Sequence, residues 1–159
     1  PHTRRVALRS AMVMSVEAGG VFGVLSALTR LGLGGPIAGG AQYVSWIHEN
    51  DFITAIEFLI HRNDVSGPIN LAAPNPLPQK AFAATLRRAW NMPFGIPQPA
   101  WMAELGAFFL RTETELIFKS RRVIPARLME AGFTFRFPKW SEAATNLVQR
   151  KKQGRSTTS

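Results

Sequence analysis

Apolar and polar positions divide the chain into one long strand, a series of short amphipathic helices, and glycine- or proline-rich joints between them. Residues 5–14 (RVALRSAMVM) set Val6, Leu8, Ser10, Met12 and Met14 on one side and Ala7, Arg9, Ala11 and Val13 on the other. Both faces are mostly apolar, which predicts a strand buried on both sides, as in the sheet of an α/β protein. An arginine in such a strand is costly unless its guanidinium reaches a partner or a cleft. Gly19 and Gly20 break the chain, and residues 21–31 then carry Val21, Val24, Leu25, Leu28 and Leu31 at helical spacing. Gly32, Gly34 and Gly35 end that helix. Residues 33–40 read as a glycine loop and 43–47 as a short extended piece. Asn50 or Asp51 is placed to cap the next helix, whose apolar stripe is Phe52, Ile53, Ile56, Leu59 and Ile60.

Turn chemistry at residues 63–68 precedes a short strand at 69–72, where Asn70 is expected to close a backbone turn. Pro74, Pro76 and Pro78 lead into a helix with Phe82, Leu86, Ala89 and Trp90 inward. Pro93, Pro97 and Pro99 form a stiff connector before a helix at 100–110. Short helices are predicted at 113–119 and 125–131, then an extended GFTFRF, then an amphipathic helix around 141–150. The pattern contains no internal repeat. A lone long strand leaves backbone donors and acceptors without neighbours, and a complete doubly wound sheet needs about five or six strands. The missing pairs are therefore expected on a segment N-terminal to this chain, which begins at Pro1 and reads as a fragment.

Composition narrows the picture. A chain of 159 residues, 46% hydrophobic and 18% charged, fits a soluble globular domain with a moderate core. It has no cysteine, so it has neither disulfides nor thiolate metal sites and suits a reducing, cytoplasmic setting. His2, His48 and His61 are too scattered for a metal cluster. No apolar run reaches the roughly 18 residues that span a bilayer. Arg9 and Glu17 interrupt what would imitate a signal peptide. The formal charge of +9 admits nucleic acid, anionic lipid or phosphorylated small molecules as partners. Much of it falls at the ends, with Arg150 at the end of the last helix and Lys151, Lys152 and Arg155 expected in a basic disordered tail at 151–159. No basic-aromatic motif of a nucleic-acid reader is present, which argues against that partner.

Candidate chemistry is sparse. GLGGPIA at residues 32–38 fits Gly-x-x-Gly-x-x-Ala, a form of the dinucleotide fingerprint, but it follows a helix and contains Pro36. A working fingerprint follows a buried strand and opens a helix. The loop therefore reads as a helix end. The single tyrosine, Tyr43, has Ile47 four positions later, so no Tyr-x-x-x-Lys pair exists. Ser45, His48 and Asp51 can be written as a triad, but residues so close in sequence rarely converge, and no nucleophile elbow accompanies them.

The pieces LRSAMVM, GG, GLGG, GAQYVSWIHEND, NLAAPNP, SRRVIPARL and GFTF occur in this order from about Arg5 to Leu147. In that order they resemble the C-terminal half of an atypical extended short-chain dehydrogenase/reductase, the NAD-dependent epimerase-like family, including its C-terminal domain of unknown function. Ala11 and Ser15 stand where the family has glycines flanking the strand motif, which loosens the case for close cofactor approach there. The resemblance implies an α/β fold: a partial Rossmann-like portion at 1–73 and a small helical substrate-side subdomain at 74–150. It implies that Arg9, Ser10 and Ala11 lie near the nicotinamide, and that Gln42, Trp46, His48 and Arg122 form the substrate side. Some have a plainer reading: Trp46 as core, His48 as a satisfied structural histidine and Arg122 as a surface residue, while nearby Asp51 reads as a helix cap bracing its loop.

The implied parent activity is NAD(P)-dependent epimerase or reductase chemistry on a nucleotide-sugar-like substrate. The fingerprint and the Tyr/Lys pair would belong to the N-terminal half of the same protein or to a homo-oligomer mate. The chain alone is expected to bind no NAD or NADP and to be inactive. The alternative is a non-catalytic scaffold that keeps the reductase fold for protein contacts.

Overall fold

A computed structural model of the chain describes residues 3–99 and 122–156. Strand β1 (Val6–Ser10) pairs in parallel with β5 (Gly67–Leu71), in the register Val6 to Gly67 through Ser10 to Leu71. At Ala11 the long strand of the sequence pattern is interrupted. Its continuation, β2 (Met12–Met14), changes partner and pairs in parallel with β4 (Trp46–His48). The main-chain N–H of Ala73, just beyond β5, donates to the Trp46 carbonyl at 2.6 Å, which ties the two ladders together. A small antiparallel pair joins β3 (Tyr43–Val44) to β6 (Leu77–Pro78). The expected extended piece at 43–47 is thus two short strands separated at Ser45. The helices are α1 (Val21–Arg30), α2 (Glu49–His61), α3 (Gln79–Ala89), α4 (Ala126–Glu130) and α5 (Trp140–Ser156). The helices expected at 100–110 and 113–119 lie outside the described residues.

The alternation of strand side chains separates two cores. From β2 and β4, Met14 and Trp46 enter one core with Phe22 of α1, Phe82 and Leu86 of α3, and Trp140, Leu147 and Val148 of α5. The adjacent positions, Val13 and Ile47, face the other core with Ala55 and Leu59 of α2, Ile69 and Leu71 of β5, and Leu128 of α4. The first core unites residues from both segments of the chain around Trp140. Its ring stacks on Phe82 at 4.1 Å, meets Trp46 edge-on at 5.0 Å and donates its N–H to the Phe82 carbonyl at 3.0 Å. Aromatic groups packed in this way add to the stabilisation from area burial alone.

Several expectations are corrected. β2 is enclosed, but β1 is exposed from Ala7 to Ser10, with Leu8 at 44%. Only β5 flanks it among the described strands, and Arg9 therefore incurs no burial cost. Helix α1 buries Phe22, Ser26 and Thr29, not the Val24–Leu28–Leu31 stripe, and Leu31 is 73% exposed. The face turns because Thr29 hydrogen-bonds the Leu25 carbonyl at 2.7 Å and lies directly beneath the following glycine loop. In α2, Ala55 and Leu59 are buried while Ile53 and Ile60 face outward. Asn70 lies within β5, not at a turn. GFTFRF forms no strand, because the N–H groups of Arg136 and Phe137 are taken by the Asp51 carboxylate. Helix α5 continues to Ser156, so the expected tail is helical over 151–156. Arg150 pairs there with Glu49, and Lys152 lies over the Trp90 ring at 5.4 Å.

Candidate functional site

The C-terminal end of β1 presents Arg9, Ser10 and Ala11 side by side. Arg9 and Ser10 are exposed, and the Ser10 hydroxyl donates to the Ala11 carbonyl at 2.7 Å. The Ala11 N–H donates to the Leu71 carbonyl at 2.9 Å, so the strand end is fixed against β5 while its outer side stays open. In doubly wound sheets ligands bind beyond the carboxyl ends of the strands. These residues occupy such a position.

Of the residues expected on the substrate side, Trp46 and His48 lie on β4, which pairs with β2 just beyond Ala11. Gln42 closes a loop: its amide donates to the Ile37 carbonyl at 3.0 Å, and its own carbonyl accepts from the Gln79 N–H at 2.8 Å. Trp46 is fully buried, and its indole N–H has no hydrogen-bond partner among the described residues. Arg122 is exposed, with its guanidinium 5.1 Å from the Tyr43 ring centre. At this range the contact is a cation–π pair.

His48 is the most constrained of the set. It is fully buried and stacks on Phe137 at 4.0 Å. Its Nδ1 accepts from the Asn50 N–H at 3.1 Å, which makes His48 itself the N-cap of α2. Nδ1 is then unprotonated, and Nε2–H donates to Asn146 Oδ1 at 3.2 Å. Burial lowers its pKa below 6.5; the Asn146 hydrogen bond and the nearby Glu49 and Asp51 act in the opposite direction. With both ring nitrogens occupied, the imidazole is a neutral bracket between α2 and α5. Asp51 is 1% exposed and accepts from the N–H groups of Arg136 at 2.8 Å and Phe137 at 2.9 Å. It braces a distant segment, while the capping expected of it falls to His48.

These contacts leave no triad. Ser45 accepts from the Val123 N–H at 2.9 Å, His48 turns to Asn146, and Asp51 turns to Arg136 and Phe137. Among the described residues no group of three His, Asp or Glu side chains converges on a metal position. No described helix is long and apolar enough to cross a membrane. The Gly-x-x-Gly-x-x-Ala loop does not fit a dinucleotide. It follows α1, a Cβ on Gly34 would lie 2.8 Å from the Thr29 hydroxyl oxygen, and one on Gly35 would lie 2.2 Å from the Ile96 carbonyl oxygen. The glycines make room for the protein's own backbone. Sequence reasoning passed over Asn146 and Glu49 and read Arg150 only as part of the basic C-terminal charge. Glu49 joins Ser15 after β2 to Arg150 of α5. A partner as far along the chain as residue 146 leaves no local signal at residue 48.

Comparison with known proteins gives this arrangement its context. Residues 98–147 match a domain of unknown function (DUF1731). The chain is 34% identical over 147 residues to the epimerase family protein SA0724 of Staphylococcus aureus (strain N315), covering 92% of this chain and 48% of that protein. It is 34% identical over 146 residues to the human epimerase family protein SDR39U1, covering 92% and 49%. The chain spans about half the length of the curated relatives it matches. In three dimensions it superposes on the crystal structure of human SDR39U1 (isoform 2) with NADPH at a TM-score of 0.83 and 32% identity, over 92% of this chain and 49% of that one. A dTDP-glucose 4,6-dehydratase from Bacillus anthracis in complex with NAD shares the fold at a TM-score of 0.70 and 11% identity, over 95% and 45%. The fold is α/β and Rossmann-like, and in sequence and structure the chain is similar to the C-terminal portion of epimerase family proteins.

Proposed function

We propose that the chain supplies the substrate-side portion of an NAD(P)-dependent epimerase or oxidoreductase acting on a nucleotide-sugar-like substrate. The observation that carries this reading is the open outer side of β1, ending at Arg9, Ser10 and Ala11, in a chain that superposes on half of a relative solved with NADPH. In the proposed whole protein a strand from the dinucleotide-binding half pairs along β1. The end of β1 then forms one wall of the nicotinamide site, with Ser10 and the Ala11 backbone facing it. Arg122 and Gln42 line the substrate side, and Trp46 and His48 act beneath it by holding β4 and α2 in place. The nicotinamide would supply hydride transfer. The phenolic acid/base and its lysine would come from the partner half, since this sequence contains no Tyr-x-x-x-Lys.

A fluorescence titration with NADPH tests the reading. The purified chain alone is expected to show no saturable binding and no turnover. The same chain joined to a dinucleotide-binding half of an epimerase family protein is expected to bind with one-to-one stoichiometry. Saturable binding by the chain alone, or its absence from the joined protein when that protein is folded, overturns the assignment.

A further inference from the structure

An open cleft of ≈ 500 Å³ lies between α1, the end of α3 and the second half of α5. Ser26 and Arg30 of α1, Trp90 after α3, and Arg150 and Lys151 of α5 form its polar wall. Among the described residues no acidic side chain lines it, and neither do Arg9, Ser10, Ala11, Gln42, Trp46, His48 and Arg122. Basic residues near helix C-termini are common, because they offset the negative end of the helix dipole, and Arg30 stands in the last turn of α1. That role does not account for Ser26.

Ser26 is 1% exposed, and its hydroxyl has no hydrogen-bond partner among the described residues. A helical serine or threonine ordinarily bonds back to a carbonyl one turn earlier, as Thr29 does to Leu25 at 2.7 Å. Leaving a buried hydroxyl without a partner is costly, and native structures seldom do so without a reason. The cations around it are differently engaged. Arg150 is paired with Glu49, and Arg30 lies over the Trp90 ring at 5.3 Å. Lys151 has no ion-pair partner among the described residues, and its Nζ lies against α1, 3.7 Å from where a Cβ on Gly23 would stand.

We propose that this cleft binds a compact phosphate-bearing anion, held by Arg30 and Lys151 and oriented by the Ser26 hydroxyl. A guanidinium fork and an ammonium group are the usual partners of phosphate oxygens, and the hydroxyl adds a directional donor. The cleft is large enough to admit a diphosphate or a small phosphate ester. The site is independent of the function proposed above.

Calorimetric titration of the protein with inorganic pyrophosphate, at fixed ionic strength, is the direct test. Saturable one-to-one binding is expected. Replacing both cations, Arg30→Gln with Lys151→Gln, is expected to weaken it about ten-fold or more. Ser26→Ala is expected to weaken it several-fold with no loss of urea resistance, since the hydroxyl has no partner among the described residues. A control pair that removes equal charge elsewhere, Lys80→Gln with Lys139→Gln, is expected to leave binding unchanged. A parallel titration with a nucleoside diphosphate separates the sources. Tighter binding than pyrophosphate assigns the cleft to an organic phosphate, and equal binding assigns it to the phosphates alone. The proposal is overturned by no saturable binding at millimolar pyrophosphate, by equal weakening in the cation pair and the control pair, or by binding to a DNA oligonucleotide alone. None of these outcomes depends on NADPH.

Discussion

Replacing Asp51 tests how the fold holds the segment after α4 against α2. The carboxylate is 1% exposed and receives two main-chain N–H groups, from Arg136 at 2.8 Å and from Phe137 at 2.9 Å. Asp51→Ala removes both acceptors at once and leaves one buried donor, at Phe137, and one part-buried donor, at Arg136. An unsatisfied buried donor costs about 1–3 kcal/mol, and a hydrogen bond to a charged group is worth about 1.5–3 kcal/mol. Two such contacts give an expected loss of about 3–5 kcal/mol, a large share of the roughly 5–15 kcal/mol that stabilises a small domain. With a urea slope of about 2 kcal/mol per molar, the unfolding midpoint falls by about 2 M. Asp51→Asn keeps the shape but offers one acceptor oxygen and turns an NH₂ towards the second N–H, so about half of that loss is expected. Equilibrium urea unfolding of the three proteins, followed by tryptophan fluorescence, gives the ranking. An Asp51→Ala midpoint within about 0.5 M of the parent chain refutes the reasoning, as does an Asp51→Asn variant less stable than Asp51→Ala.

Three further outcomes are expected. Hydrogen exchange should separate alternate residues of β1: the flanking bonds, Gly67 N–H to Arg5 and Ala11 N–H to Leu71, turn Ala7 and Arg9 towards β5 and leave the N–H groups of Val6, Leu8 and Ser10 on the open side. Equal slow exchange at all of them in a monomer contradicts an unpaired edge. For His48, whose folded pKa lies below 6.5, the unfolded chain binds the proton first as pH falls. Stability is therefore full above about pH 7 and declines below about 6.5, by up to about 1.4 kcal/mol per pH unit until the folded pKa is reached. The difference between the chain and a His48→Gln variant isolates this slope, and a flat difference between pH 7.5 and 5.5 excludes it. Gly35→Ala should cost about 1–3 kcal/mol or more, because the new methyl lands on the Ile96 backbone. Gly39→Ala, with φ +82 and nothing within 4 Å, should lose only about 1–2 kcal/mol of backbone strain. Thermal unfolding that reverses this order contradicts the steric account.

The sequence by itself determined the α/β class, the approximate placement of the five described helices and of β5, and the likeness to epimerase family proteins. These are carried by short-range signals: period-two alternation at β2, helical spacing and flanking prolines at α3, glycines after α1, and motifs whose order survives without coordinates. Tertiary structure decided which face of each element is buried and which partner each polar group takes. The apolar positions of α1 and α2 permit more than one inward face, and Thr29 under the glycine loop and Ala55 against the sheet selected between them. Local pattern gave β1 two apolar faces, but burial requires other elements packed over both faces and a paired strand at each edge, and Ala7 to Ser10 remain exposed with only β5 paired among the described strands. His48 and Asp51 were legible as important and illegible in role, because their partners lie 98 and 85 residues away. Hydrogen bonding and burial are properties of pairs brought together by folding, and no window along the chain contains both members.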